Sequence, residues 1–538
     1  MNVRRAWIAL ALLALQAHAA APFDSGSVGE ALYRRGVNAA GTPIEATREG
    51  GISVSGAPAA CINCHRRSGL GMVEGRQSIP PIAASYLFHP RAGTVDDLDL
   101  PFVENMRADR DPYTEATLAR AIRNGVAADG KPLSYLMPRY SFDDGDMAQL
   151  IAYLKQLSPG DVPGVTPDVL HFATIITPDA DPVKRAGMLD VLNKFFEDKN
   201  RYTRAQAPRL RSSRRMMFKV NRHWQLHVWE LKGDASTWQA QLRAALAAQP
   251  VFAVLSGLGG RNWEPVHRFC EEQSLPCLFP NVERPVIAES DFESLYLSQG
   301  VLLEARLVAH ELGTREAGAP RRIIQVFHQG DVGMDGAQAL ETALHRPDVT
   351  FVNHGLAKAG ARELAAALRA VEPGDVLMLW LRADEVARLP EPPRGVTAVY
   401  LSGQMAGLEQ APLARAWRPL IWLTYPYDLP DRRRIRLDFP LGWFRIRQIP
   451  VVAQQVQVDT YLVCGLVSDT INHMVDTFVR DYLIERIEGM LEHRVITGYY
   501  PRLALAPGQR FASKGGFLVR FAEPAGSRIV PDGDWIIP

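Results

Sequence analysis

The stretch Cys61-Ile62-Asn63-Cys64-His65 decides how the front of this chain is read. Two thiols three positions apart, followed at once by an imidazole, can form thioether links to the two vinyl groups of a haem and set the histidine on its iron. A zinc site would need a second Cys or His pair nearby, and a redox dithiol would sit between a strand and a helix of a βαβ unit. Here the next cysteine is Cys270, and the flanks are rich in Gly and Pro. The pattern therefore predicts one haem c held covalently by Cys61 and Cys64, with His65 as an axial ligand.

The compartment follows from the first residues. Arg4 and Arg5 precede an apolar run from Ala6 to Leu15, and Ala17-His18-Ala19 has the small-x-small form of a cleavage site, so residues 1–19 read as a signal peptide. That run is far shorter than the roughly 20 apolar residues that cross a bilayer, and no later stretch is long and uncharged enough. Export to the periplasm of a Gram-negative bacterium is the expected address. The 538 residues are too many for one core. A net charge of +1 predicts no nucleic-acid partner.

In the front domain, 25–160, three amphipathic segments read as helices: Gly29 to Gly36, Leu118 to Gly125 and Asp144 to Leu157, where Met147, Leu150, Ile151, Leu154 and Leu157 share one face. Leu136-Met137-Pro138-Arg139-Tyr140 offers a thioether on a stiffened loop, so Met137 is the expected sixth ligand, ahead of Met72, Met106 and His89. Val37 to Ala60 reads as a loop. Together the Gly-x-x-Leu-Tyr helix, C-x-x-C-H, the helix ending in Gly125, the Met-Pro loop and the terminal helix with Ala152-Tyr153-Leu154 resemble a class I cytochrome c. The resemblance implies an all-α domain that transfers electrons, because two filled axial positions leave the iron no vacancy.

Ser158 to Gly164 is rich in turn formers and marks a linker, 161–165, before a second module, 166–538. There strand-like runs alternate with helical ones: Val169 to Thr177, Leu226 to Leu231, Val251 to Ser256 and Pro276 to Phe279, then Arg322 to Phe327, Val349 to Val352, Val376 to Leu381 and Val396 to Leu401. Such a rhythm predicts two parallel sheets in two lobes, with a hinge near 296–320 and a return of Val451 to Leu491 across it. The order resembles a type I periplasmic binding protein of the branched-chain amino acid transporter class, which implies a two-lobed α/β fold closing on a small solute. Ligands of parallel sheets sit beyond the carboxyl ends of strands, so Ser256, Gly257, Thr177 and Gln329 are the candidate ligand-binding residues. Cys270 and Cys277 are either a disulfide or two thiols, and Cys464 reads as a buried thiol. A run of arginines between Arg201 and Trp224 is either a solvated surface or a steering patch for an acidic partner.

Three functions compete. The first is a periplasmic c-type cytochrome that exchanges electrons with a redox partner such as a quinoprotein dehydrogenase, its second module docking that partner or sensing a small molecule. The second is a transporter-type solute-binding protein for amino acids or small organic acids, carrying haem as a redox reporter. An enzyme is the weakest, since no Ser-His-Asp set, carboxylate pair or metal-ligand spacing stands out and His328 and His354 are scattered.

Overall fold

The computed structural model describes residues 27–74, 77–88, 111–157, 162–206, 222–288, 290–314, 322–357, 361–474, 477–493 and 498–538. The expected leader, His89, Met106, residues 158–161 of the linker and the side chains of the basic run from Arg204 to Lys219 lie outside them. Two compact units follow one another, Met1–Asp161 and Val162–Pro538.

The front unit is built on its first and last helices. Val28–Arg35 starts at Ser27, whose hydroxyl accepts the N–H of Glu30, and stops at Gly36 in the left-handed region. Asp144–Gln156 starts at Asp143 in the same manner. The helices bury Leu32 and Tyr33 against Leu150, Tyr153 and Leu154, each side chain contributing roughly 1.5–3 kcal/mol. The Tyr33 and Tyr153 rings lie 5.3 Å apart. Glu115–Asn124, capped by Thr114, is the third long helix.

The unit is not all-α. Glu45–Arg48 pairs antiparallel with Ile52–Ser55 and with Arg139–Tyr140, and Met72–Glu74 pairs with Gln77–Ile79. The stretch expected to be a loop is therefore a hairpin. Its tip carries Gly50 and Gly51, both at positive φ, which the right-handed twist of paired strands favours at a tight turn.

The second unit has two seven-stranded sheets. In the first lobe Val169–Ile176 pairs parallel with His223–Glu230, Ala253–Leu255 and Leu258–Gly259, and Cys277–Leu278 continues toward Ser294–Leu295. In the second lobe five parallel strands, Thr350–Leu356, Arg322–His328, Val376–Trp380, Ala398–Leu401 and Ile421–Tyr425, are extended by antiparallel Phe517–Phe521 and Ile529–Pro531. Strands such as Val376–Trp380 are buried throughout, so their apolar runs are continuous rather than alternating.

The chain leaves the first lobe after Ser294–Leu295 and enters the second at Val301. Helix Val301–Thr314 does not stand between the lobes: Val301, Ala305, Val308 and Leu312 pack into the second lobe's core with Ile323, Leu340 and Trp380. The chain returns to the first lobe with Gln454–Met474, which lies along Pro182–Gln206, with Lys199 Nζ donating to Ser468 Oγ at 3.0 Å.

A methyl group on Gly29 would come within 2.2 Å of the Gln149 carbonyl oxygen and 2.7 Å of Tyr153 Cβ. Gly29→Ala is expected to push the two terminal helices apart at a cost of about 1–3 kcal/mol. Calorimetry of the full chain should show a lower midpoint for the front unit; an unchanged midpoint would remove the close approach as its stabilising contact.

Candidate functional site

In the front unit Cys61 caps the short helix Ile62–His65, so the second thiol and the imidazole project from one turn. Both cysteines are unbridged. His65 is buried, and its Nδ1 lies 3.0 Å from the Pro80 carbonyl oxygen, which accepts only if Nδ1 carries the proton; Nε2 then keeps its lone pair. Burial lowers the imidazole to about 4, so it is neutral, as a metal ligand must be. Burial likewise pushes the Cys61 thiol up to about 12, against the opposing effect of a hydrogen bond with Tyr140. Tyr33 and Tyr140 hold the segment from both sides through the carbonyls of Arg66 and Ala59, at 2.6 and 2.8 Å. Met137 is half-buried in the turn leading into the strand that carries Tyr140.

These residues fit the attachment of a c-type haem: two unbridged thiols and an oriented neutral imidazole lie on one turn, and the Met-Pro loop runs into a residue touching Cys61. Cys61 and Cys64 would hold the group, with His65 and Met137 as candidate axial ligands.

The second unit has a cleft of about 770 Å³ between its lobes. Its walls are segments that follow strands: Asp179 to Asp181, Gly259 to Arg261 and Asn281 to Glu283 on one side, and Gly330, Asp331, Arg382 and Gln404 on the other. Ion pairs span it. Arg261 is bidentate to Asp335, at 2.6 and 3.1 Å. Arg382 binds both Glu283 oxygens from the opposite lobe, at 3.0 and 2.8 Å, and both Asp331 oxygens of its own, at 2.7 and 2.5 Å.

None of the four sequence candidates lines the cleft. Ser256 is fully buried and shares its hydroxyl with Thr460, at 2.8 Å, and Asn281, at 3.0 Å. Gly257 packs on Trp263. Thr177 donates to Asp179, and Gln329 donates to the Gly355 carbonyl at 3.1 Å. Their neighbours form the wall instead. The glycine turn that follows Ser256 and Gly257 is filled from within, because Asp179 Oδ1 accepts the Gly260 N–H at 3.4 Å.

The chemically open groups were not legible as site residues. Asp459, only 3% exposed on helix Gln454–Met474, lines the cleft with an Oδ1 that has no hydrogen-bond partner. Burial pushes its carboxyl up to about 8, against the opposing hydrogen bond from Gln455. Tyr427 and Tyr500 stand beside it, their ring centroids 5.4 Å apart. Gln404 Nε2 is also unpartnered. Its backbone is set by Glu304, which accepts Gln404 N–H at 3.0 Å, Ser402 Oγ at 2.6 Å and Thr424 Oγ1 at 2.8 Å and is pushed up to about 7 by burial.

Other candidates are used structurally. Cys270 and Cys277 are free buried thiols in contact, not a disulfide, and Cys464 is buried. His267, Glu271 and Asp291 lie together, but His267 bonds Asp291 and Tyr296, while Glu271 accepts the N–H groups of Phe292, Glu293 and Ser294. At the described ends of the basic run, Arg201 pairs with Glu197 and Arg222 donates to the Thr166 carbonyl.

The second unit is thus a two-lobed α/β module with an interlobe cleft. No family model matches the chain, and no curated protein is similar to it. Among solved structures, it is similar to the branched-chain amino acid transporter substrate-binding protein LivJ of Streptococcus pneumoniae in complex with isoleucine, at 9% identity over 69% of this chain and 100% of that one, TM-score 0.47. A substrate-binding periplasmic protein from Ralstonia solanacearum is 13% identical over 68% and 100%, TM-score 0.47. A fatty acid ABC transporter substrate-binding protein from Thermomonospora curvata is 13% identical over 70% and 95%, TM-score 0.45. No described helix is long and apolar enough to cross a membrane.

Removing the Arg382 guanidinium leaves Glu283 and Asp331 facing each other across the cleft mouth. Arg382→Gln is expected to shift the balance toward an open form by about 1–3 kcal/mol. Small-angle scattering should record a larger radius of gyration; the same radius as wild type would show that the guanidinium does not hold the lobes.

Proposed function

We propose that this chain is an exported solute receptor whose second unit captures a small polar molecule between its lobes, and whose front unit carries a covalently attached haem c. One observation carries the receptor reading: the cleft lies at the carboxyl ends of both parallel sheets and holds a buried carboxyl with an open oxygen. An unpartnered buried polar atom costs about 1–3 kcal/mol, and a ligand that satisfies it recovers that cost on binding. The transporter-type reading is favoured over a docking module because the open groups face into a concavity and not outward. On this reading the chain's residues bind, orient and enclose.

A second reading, electron carriage to or from a periplasmic redox partner such as a quinoprotein dehydrogenase, is supported by the thiols and imidazole of Cys61, Cys64 and His65. A haem bound there supplies one-electron exchange. The chain's part is to hold His65 neutral by burial, to set its tautomer through the Pro80 carbonyl and to keep the segment fixed through Tyr33 and Tyr140.

Protein made in a haem-attaching periplasm tests both. The peptide with Cys61 and Cys64 should carry the mass of one haem, lost in Cys61→Ala/Cys64→Ala; an unmodified, colourless wild-type chain would end the haem reading. In a thermal-shift screen of small solutes, a true ligand at a hundredfold excess over its Kd should stabilise the second unit by about 2.7 kcal/mol, equally in the double variant. Reduction by a dehydrogenase with no solute response would favour the carrier.

A further inference from the structure

Apart from Lys184, the groups on the cleft wall that would hold an anion are already taken by the protein's own carboxylates. Asp179 occupies the Gly260 N–H and the Thr177 hydroxyl. The two guanidiniums on the wall are each committed to carboxylates, Arg261 to Asp335 and Arg382 to Glu283 and Asp331. Four ionised carboxylates and the mostly protonated Asp459 line the cleft against three cationic side chains, so its field favours a positive ligand. Among the described residues the single lining carboxyl with a buried, unpartnered oxygen is Asp459, and it lies with two tyrosines whose rings present electron-rich faces. Gln404 Nε2 adds one open donor on the facing wall.

We propose that the cleft takes a small amine bearing a neutral oxygen, its ammonium group received by Asp459 beside Tyr427 and Tyr500 and its hydroxyl or carbonyl oxygen by Gln404, with no carboxylate required. This rests on the reading of the second unit as a solute receptor. It departs from an amino acid ligand at one point: the cleft has an unpartnered acceptor for the ammonium, while the glycine turn and both guanidiniums are engaged and only Lys184 is left for a carboxylate.

Binding moves a proton. Before the ligand arrives the Asp459 carboxyl is mostly protonated at pH 7, since burial pushes it up to about 8. An ammonium ion then pairs with the carboxylate and the carboxyl proton leaves to solvent, so the cation is kept and one proton is released. Tyr427, Tyr500 and Gln455 face the group, and Tyr499 and Glu304 act on Tyr427 from behind. The tyrosine hydroxyls are all held above their ordinary value by burial, so the groups that titrate near neutrality are Asp459, at about 8, and behind Tyr427 Glu304, at about 7. Affinity should therefore rise with pH up to about 8 and level off above it.

The test is titration calorimetry of the full chain with ethanolamine, 1-amino-2-propanol, 2-phenylethylamine, isoleucine and 1,2-propanediol, in two buffers of different ionisation enthalpy. An amine is expected to bind with release of up to one proton at pH 7. Asp459→Asn, which mimics the protonated acid and should fold, is expected to weaken it by about thirtyfold or more and to abolish the proton release. Gln404→Leu should weaken 1-amino-2-propanol more than 2-phenylethylamine. Binding of isoleucine or the diol with the amines silent, or equal affinity in wild type and Asp459→Asn, overturns the amine assignment and leaves the receptor standing. Silence from all five probes overturns the amine assignment as well; if a wider solute screen is also silent, the receptor reading fails with it.

Discussion

Arg382 joins the two lobes through one planar group. A guanidinium presents five N–H donors in a fixed fork, and here the fork is divided between Glu283 of the first lobe and Asp331 of the second. Both acids are tied to the frame. Asp331 also accepts the Val332 N–H and so caps the helix Val332–Ala343, while Glu283 follows the strand Asn281–Val282. The width of the cleft mouth is therefore set by rigid elements and not by loose side chains. A half-exposed ion pair adds little to overall stability, but a bidentate one fixes orientation.

The interior of the cleft reverses a common arrangement. A glycine turn after a parallel strand, opening toward a helix, usually offers its N–H groups to a bound anion. At Gly259-Gly260 that place is filled by the chain's own Asp179, and a side chain on Gly260 would collide with it at 2.3 Å. The buried groups the cleft leaves unpartnered, among the described residues, are an acceptor, Asp459, and a neutral donor, Gln404. Asp459 stays neutral until a donor arrives because its burial is compensated by nothing but Gln455.

Legibility in the sequence followed the range of the interactions. The helices Val28–Arg35 and Asp144–Gln156 and the alternation of strands and helices are local patterns, and they could be read. The hairpin at Gly50-Gly51 was equally local, a glycine pair between strand-forming residues, yet the small-residue composition around it reads as loop. The Pro80 carbonyl that orients His65 is brought there by folding, and no spacing announces it. The helix Val301–Thr314 was placed between the lobes because an apolar helix does not say which sheet it covers. Reading the ends of strands led to Ser256 and Thr177, one or two residues from the true wall, because the side chain nearest the strand end points back into the core. Asp459 was hidden inside a long apolar helix; the one clue was an acid set directly beside Val458 and followed by Leu462 and Val463.

The helix that bears Asp459 belongs to only one of the two walls. It runs along Pro182–Gln206, and Thr460 is hydrogen-bonded to Ser256 beneath the first sheet. When the mouth opens, Gln404 withdraws with the second lobe while Asp459 stays where it is. On the proposed receptor reading, a captured molecule would remain seated on a single face after the other had swung away, and its residence time would be governed by that seat and not by the swing.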